Sequence, residues 1–165
     1  YNSEKYYEFD IHPYFVKAFK KRWYVVAYSP GTNDIRCYAL DRMENVIISD
    51  KVFKMPKDLE PAEYFKDCFG IINNEDSEVQ KVVLKVDAFP SNYIRNLPLH
   101  ESQKEMKRTD EYSIFEYHLK PEFDFEQEIF SNMDTMEVLE PQWLREEVSE
   151  RLRNLAKKYK ICPSS

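Results

Sequence analysis

Six side chains able to grip a flat anion fall in two β-prone runs. KRWYVVAYSP (21–30) supplies Arg22, Tyr24 and Tyr28, and IRCYALDR (35–42) supplies Arg36, Tyr38 and Arg42. The short Gly-containing stretch GTND separates the runs and predicts a hairpin. A turn from Pro30 to Asp34 pairs Ser29 with Ile35. Pairing back along the ladder then sets Tyr28 opposite Arg36, Val26 opposite Tyr38, Tyr24 opposite Leu40 and Arg22 opposite Arg42. In that register Trp23, Val25, Ala27, Ile35, Cys37 and Ala39 share a core face, and the arginines and tyrosines share the other. Arginine offers a planar fork of donors to phosphate or carboxylate, and a tyrosine ring is a surface on which a base stacks. Two arginines facing each other repel, so an anion belongs between them: Asp41, Glu44 or a ligand. The alternative is that Arg22, Arg36 and Arg42 lie along a solvated sheet and pair with local acids.

Other chemistry-bearing residues are scattered. His12, before Pro13, is a candidate anion contact or a capped turn histidine. His100-Glu101-Ser102 invites a hydrolase reading, but no G-x-S-x-G elbow accompanies it. His118 alternates with Tyr112, Ile114 and Glu116 on one strand face, and the three histidines lack zinc spacing. The run Glu122, Asp124, Glu126, Glu128 reads as the solvated start of a helix. Lys104, Lys107, Arg108 and Arg145 are basic residues that would extend an anion-binding surface if they joined one. With no catalytic constellation, the chain is not expected to be an enzyme, and no cofactor or metal is expected.

The elements that must position these residues change style along the chain. YYEFDI (6–11), ending at His12-Pro13, the hairpin, and NVIISDKVF (45–53) predict short antiparallel strands, hence a small barrel or sandwich. Residues 57–78 form a connector with one short helix, Pro61 in its first turn and Gly70 at its C-cap. From 79 to 165 the pattern is strand (79–89), helix (91–97, begun by Ser91), two strands turning near Thr109-Asp110, helix (121–133), strand (136–140) and a long final helix (141–159). That order, β-α-β-β-α-β plus a helix, is ferredoxin-like. On the last helix Leu144, Val148, Leu152, Leu155 and Tyr159 make one apolar stripe.

Composition narrows the class. The chain has 12 Tyr, 11 Phe and only two glycines, Gly31 and Gly70, both expected at positive φ. The net charge of -6 divides unevenly: residues 1–56 carry nine Lys/Arg against seven Asp/Glu, and residues 57–165 carry fifteen against twenty-three. Attraction of the whole chain to bulk nucleic acid is therefore not supported, while a local anion site in the first third is. Three distant cysteines, Cys37, Cys68 and Cys162, give neither a disulfide framework nor a zinc ribbon, which fits a reducing, cytoplasmic setting. No apolar run approaches the roughly 18 residues of a membrane span. A start at Tyr1 rather than Met is expected of a part cut from a longer protein.

His12-Pro13, Arg22-Trp23-Tyr24-Val25, Ile35-Arg36 and Leu40-Asp41-Arg42-Met43 together resemble the WYL domain of bacterial regulators. Leu97-Pro98-Leu99-His100 with Ser102-Gln103, and Glu137-Val138-Leu139-Glu140-Pro141 with Leu144-Arg145, resemble the C-terminal extension that often follows it. The motif leucine is Val25 here. The resemblance implies an α+β chain: an Sm/SH3-like antiparallel β-barrel at 1–56, a connector at 57–78, and the ferredoxin-like extension with its C-terminal helix at 79–165. It also implies that the barrel senses a nucleic-acid-like or other anionic ligand, an oligonucleotide or nucleotide. The expected site is His12, Tyr24, Arg36 and Arg42 with Tyr38 and Arg22, and Trp23 packing beneath. Partners implied are DNA, through an N-terminal helix-turn-helix domain absent from this chain, and a second copy in a homodimer. In that family the first barrel strand lies just upstream of a Tyr like Tyr1, so the barrel is expected to be truncated or completed by a neighbouring molecule. The competing expectation is a dimerisation or interaction module with no small ligand.

Overall fold

The computed structural model describes residues 7–161. It divides into two compact units, Tyr1–Tyr64 and Phe65–Ser165. Tyr6, which opens the expected first strand, and Cys162 lie outside the described residues.

Unit 1 is a three-stranded antiparallel sheet in the order β1-β2-β3, made of β1 (His12–Phe19), β2 (Arg22–Ser29) and β3 (Asp34–Ala39). The first strand is HPYFVKAF, not YYEFDI: residues 7–11 form no strand, and the chain enters the sheet at His12. Pro13 is tolerated because β1 is an edge strand, with a register irregularity between Pro13 and Phe15. β1 reverses into β2 through Lys20 and Lys21, both at positive φ (44° and 66°), the conformation of a two-residue hairpin turn. NVIISDKVF forms no strand either. From Met43 to Leu59 the chain is a strap without helix or ladder, and Ile47 and Ile48 are 84% and 96% exposed. β propensity expresses fit to a pleated, half-buried surface, and in this unit no strand of the sheet pairs with the strap.

Unit 2 pairs β4 (Gln80–Asp87), β5 (Lys104–Arg108), β6 (Tyr112–Leu119) and β7 (Met136–Glu140) antiparallel in the order β5-β6-β4-β7. The connections run through α2 (Ala88–Asn96) and α3 (Phe123–Ser131), and α4 (Gln142–Lys158) follows β7. α1 (Pro61–Phe65) precedes them, with Pro61 in its first turn as expected. Strand alternation builds the core: Val82, Leu84 and Val86 of β4 and Phe115, Tyr117 and Leu119 of β6 are fully buried. Phe125 and Ile129 of α3 and Leu144 and Val148 of α4 join the same cluster. Of the stripe expected on α4, Leu152, Leu155 and Tyr159 remain exposed.

The glycines act differently from expectation, since no glycine takes a positive φ. Asn33 does so in the β2–β3 turn, at φ 55°. Gly70 does not cap α1, which ends at Phe65. Its missing Cβ makes room for the Asp124 carboxylate, which would lie 2.3 Å from such an atom and accepts the N–H groups of Ile71 (2.8 Å) and Ile72 (3.1 Å). Ser91 begins no helix: it sits inside α2 and donates to the carbonyls of Val86 (3.0 Å) and Asp87 (2.8 Å).

Candidate functional site

The hairpin register differs from the expected one by a residue. Ser29 pairs with Asp34, and the ladder continues Tyr28 with Ile35, Ala27 with Arg36, Val26 with Cys37, Val25 with Tyr38 and Tyr24 with Ala39. The turn is shorter than expected because the N–H groups of Thr32 and Asn33 both reach the Ser29 carbonyl, at 3.2 and 2.8 Å. The Tyr28 hydroxyl donates to Asn33 Oδ1 at 2.7 Å and supports it. A one-residue slip exchanges the faces of a strand. The pattern did not resist the slip because Val25, Val26 and Ala27 are all buried, so β2 is covered on both sides.

The candidate residues therefore divide between two faces. Tyr24 shares a face with Val26, Tyr28, Cys37 and Ala39, and across β1 with His12, Phe15 and Lys17. Arg36 and Tyr38 share the other face with Val25 and Ala27. Trp23, opposite Ala18 near the strand end, is 58% exposed. Arg42 does not oppose Arg22: it sits in the single 3-10 turn Leu40–Arg42 that follows β3. Arg22 opposes Phe19 and approaches Asp41 at 3.5 Å, so Asp41 is its local counter-charge. Arg36 approaches Asp34 at 3.4 Å. Both pairs are about half exposed, where an ion pair contributes at most about 1 kcal/mol and an incoming anion can exchange with it.

His12 joins an aromatic cluster that the sequence did not reveal. Its ring is 5.5 Å from Tyr28 and stacks on Phe53 at 4.7 Å with an interplanar angle of 3°. Tyr14 meets Phe53 at 6.2 Å, and burial raises the Tyr14 hydroxyl above its usual range. Lys51, two residues before Phe53, bonds Asp10 at 2.5 Å, and this partner holds the Asp10 carboxyl below the usual carboxylate range. No periodicity links position 53 to position 12, so only the path of the strap exposes the cluster.

Several of the remaining candidates hold structure. The Ser102 hydroxyl donates to His100 Nδ1 at 2.8 Å and accepts the His118 N–H at 2.9 Å, while His100 Nε2 donates to the Lys66 carbonyl at 2.8 Å. With a carbonyl in place of an acid and the imidazole buried, this contact ties a loop and is no nucleophile with its base. The acidic run is not simply solvated. Asp124 binds the 71–72 backbone, Glu122 accepts from Ser77, and burial with the nearby Glu147 and Glu122 raises the Glu126 carboxyl. Arg145 is tied to the Val138 carbonyl (2.5 Å) and Glu137 (2.9 Å), and Lys107 to the Tyr112 hydroxyl (2.9 Å). Among the described residues there is no group of three His, Cys, Asp or Glu that could hold a metal ion, and no helix is long and apolar enough to cross a membrane.

Residues 1–48 match the family described as WYL domain, and residues 78–156 match the family described as WCX domain. No curated protein matches the chain. A solved structure of Proteasome accessory factor B/C (PafBC) of Arthrobacter aurescens is similar over 94% of this chain and 23% of its own, at 18% identity and a TM-score of 0.39. The chain thus spans less than a quarter of that protein.

Proposed function

We propose that this chain, a WYL domain followed by a WCX domain, is the ligand-sensing regulatory region of a bacterial transcription factor, working in the cytoplasm. In this reading residues 1–56 are an Sm/SH3-like barrel, 57–78 a connector and 79–165 a ferredoxin-like extension. The ligand is anionic and nucleic-acid-like. The observation that carries the proposal is the placing of three arginines about the β3 side of the sheet: Arg36 on the edge strand β3, Arg42 in the turn after it, and Arg22, at the start of the central strand β2, beside Asp41 of that turn. In this reading a polyanion runs from Arg36 to the turn that carries Arg42 and flanks Arg22, a span a single small carboxylate does not cover. Tyr38 and Trp23 offer rings on one face of the sheet, and Tyr24 and His12 on the other. Binding would shift the population of arrangements in a dimer and so the placement of DNA-binding heads outside this chain.

A second reading, an interaction module without a small ligand, is favoured by one observation: Arg22 and Arg36 already have acids of their own chain beside them. Titration with a fluorescently labelled ten-nucleotide oligothymidylate separates the two. Binding should weaken about tenfold in Arg36→Ala and in Arg42→Ala, and should fall as salt rises. Equal affinity of both variants with the parent chain would remove the arginine edge from the site.

A further inference from the structure

The ring contacts of unit 1 are of two kinds. His12–Tyr28, Tyr14–Phe53 and Phe9–Tyr38 are tilted by 36°, 52° and 39°. His12–Phe53 is different: the planes are 3° from parallel at 4.7 Å, the geometry in which a base lies on an aromatic side chain. Among the described residues, the ring contacts of Phe53 with His12 and Tyr14 and the Lys51–Asp10 pair are what join the strap to the start of the chain. Between Met43 and Leu59 there is no helix or ladder, and Val46, Ile47, Ile48 and Val52 are 76–96% exposed. The Lys51–Asp10 pair beside Phe53 is itself exposed to solvent, where salt screens it.

Resting on the ligand reading above, we infer that Phe53 is an exchangeable plug: it occupies the stacking position on His12 that a nucleobase of the ligand takes, and leaves when the base arrives. The bare anion is recognised at the arginine edge, and the base at His12 after the strap has moved. Phe53 thereby sets both the cost of entry and the preference for ligands that carry bases. Because the strap runs directly into α1, base binding also moves the segment that leads to the rest of the chain.

The test compares the whole chain with Phe53→Ala and Phe53→Leu, using three labelled decamers of equal charge: oligoadenylate, oligothymidylate and an abasic sugar-phosphate strand. The Leu variant keeps apolar volume under the strap while losing the stack, and circular dichroism checks that both variants fold. Removing the plug should tighten oligoadenylate binding about tenfold in Phe53→Ala, with a smaller gain in Phe53→Leu and no change for the abasic strand. Unchanged or weaker oligoadenylate binding in both variants overturns the plug while leaving the ligand reading standing. A gain of equal size for the abasic strand also overturns it, since the strap would then be a general barrier. Failure of the parent chain and of both variants to bind any decamer overturns the plug and the ligand reading together.

Discussion

Arg95 and Glu105 show how few contacts are needed to fix a charge on this fold. The guanidinium meets the carboxylate through two bonds, Nε to Oε2 at 2.9 Å and Nη2 to Oε1 at 2.6 Å, with both side chains about three-quarters covered. Arg95 also reaches Asn92 (2.8 Å) and Ser113 (3.3 Å), so α2 is fastened to β5 and β6 at one point. The bond from Arg95 holds the Glu105 carboxyl down at about 2. A depressed carboxylate stabilises the fold only above its unfolded value, and that contribution disappears as pH falls through the folded value. Glu105→Gln should therefore cost about 1 kcal/mol at pH 7. The difference between the two proteins should shrink between about pH 4.5 and pH 2, as followed by urea midpoints across that range. A difference independent of pH would mean that packing, not charge, is what the glutamate supplies.

At the level of elements, legibility followed amphipathicity. In unit 2, β4 and β6 alternate and the helices have one buried face, so β4 to β7 and α2 to α4 are readable within a few residues, the exposed β5 by its turn to β6 at Thr109-Asp110. In unit 1, β2 is buried on both faces, which removes the alternation that would fix its register, and one residue of turn length decided which side Arg36 takes. The candidate site suffered with it: the residue types were legible, their division between faces was not. β1 was hidden for another reason, because its reversal uses Lys20-Lys21 where Asn-Gly is the usual signal. Two lysines in the left-handed region carry a steric cost of about 1–2 kcal/mol each. Replacing them together, Lys20→Asn with Lys21→Gly, should raise the stability of unit 1 by about 1 kcal/mol, net of the flexibility glycine adds to the unfolded chain. The readout is a higher denaturant midpoint at unchanged slope. A midpoint that stays put or falls would show that contacts of the lysine side chains, such as Lys20 over the Phe19 ring at 5.7 Å, outweigh the backbone cost.

Across the whole chain the two units are built on unequal foundations. Unit 2 closes thirteen buried side chains into one cluster that includes Phe115, Tyr117 and Phe125. Tyr117 spends its hydroxyl on Gln103 at 3.0 Å, and Gln103 in turn bonds Leu99 and Ile94, so the largest buried polar group is satisfied. Among the described residues, unit 1 buries only Val25, Val26, Ala27 and Ala39 as apolar side chains. Each large side chain fully removed from water contributes about 1.5–3 kcal/mol, so the smaller core leaves unit 1 the less stable. That inequality suits the proposed sensing role, because segments that must open for a ligand are drawn from the low-stability end of a structure. Hydrogen exchange across a series of low urea concentrations should therefore give β2 amides a lower opening free energy than those of β4 and β6. A deca-oligonucleotide bound at unit 1 should raise the β2 value and leave β4 and β6 unchanged, by linkage to the bound state alone. Equal opening energies in the free chain would contradict the ranking of the cores, and protection gained equally in both units would contradict the placement of the ligand.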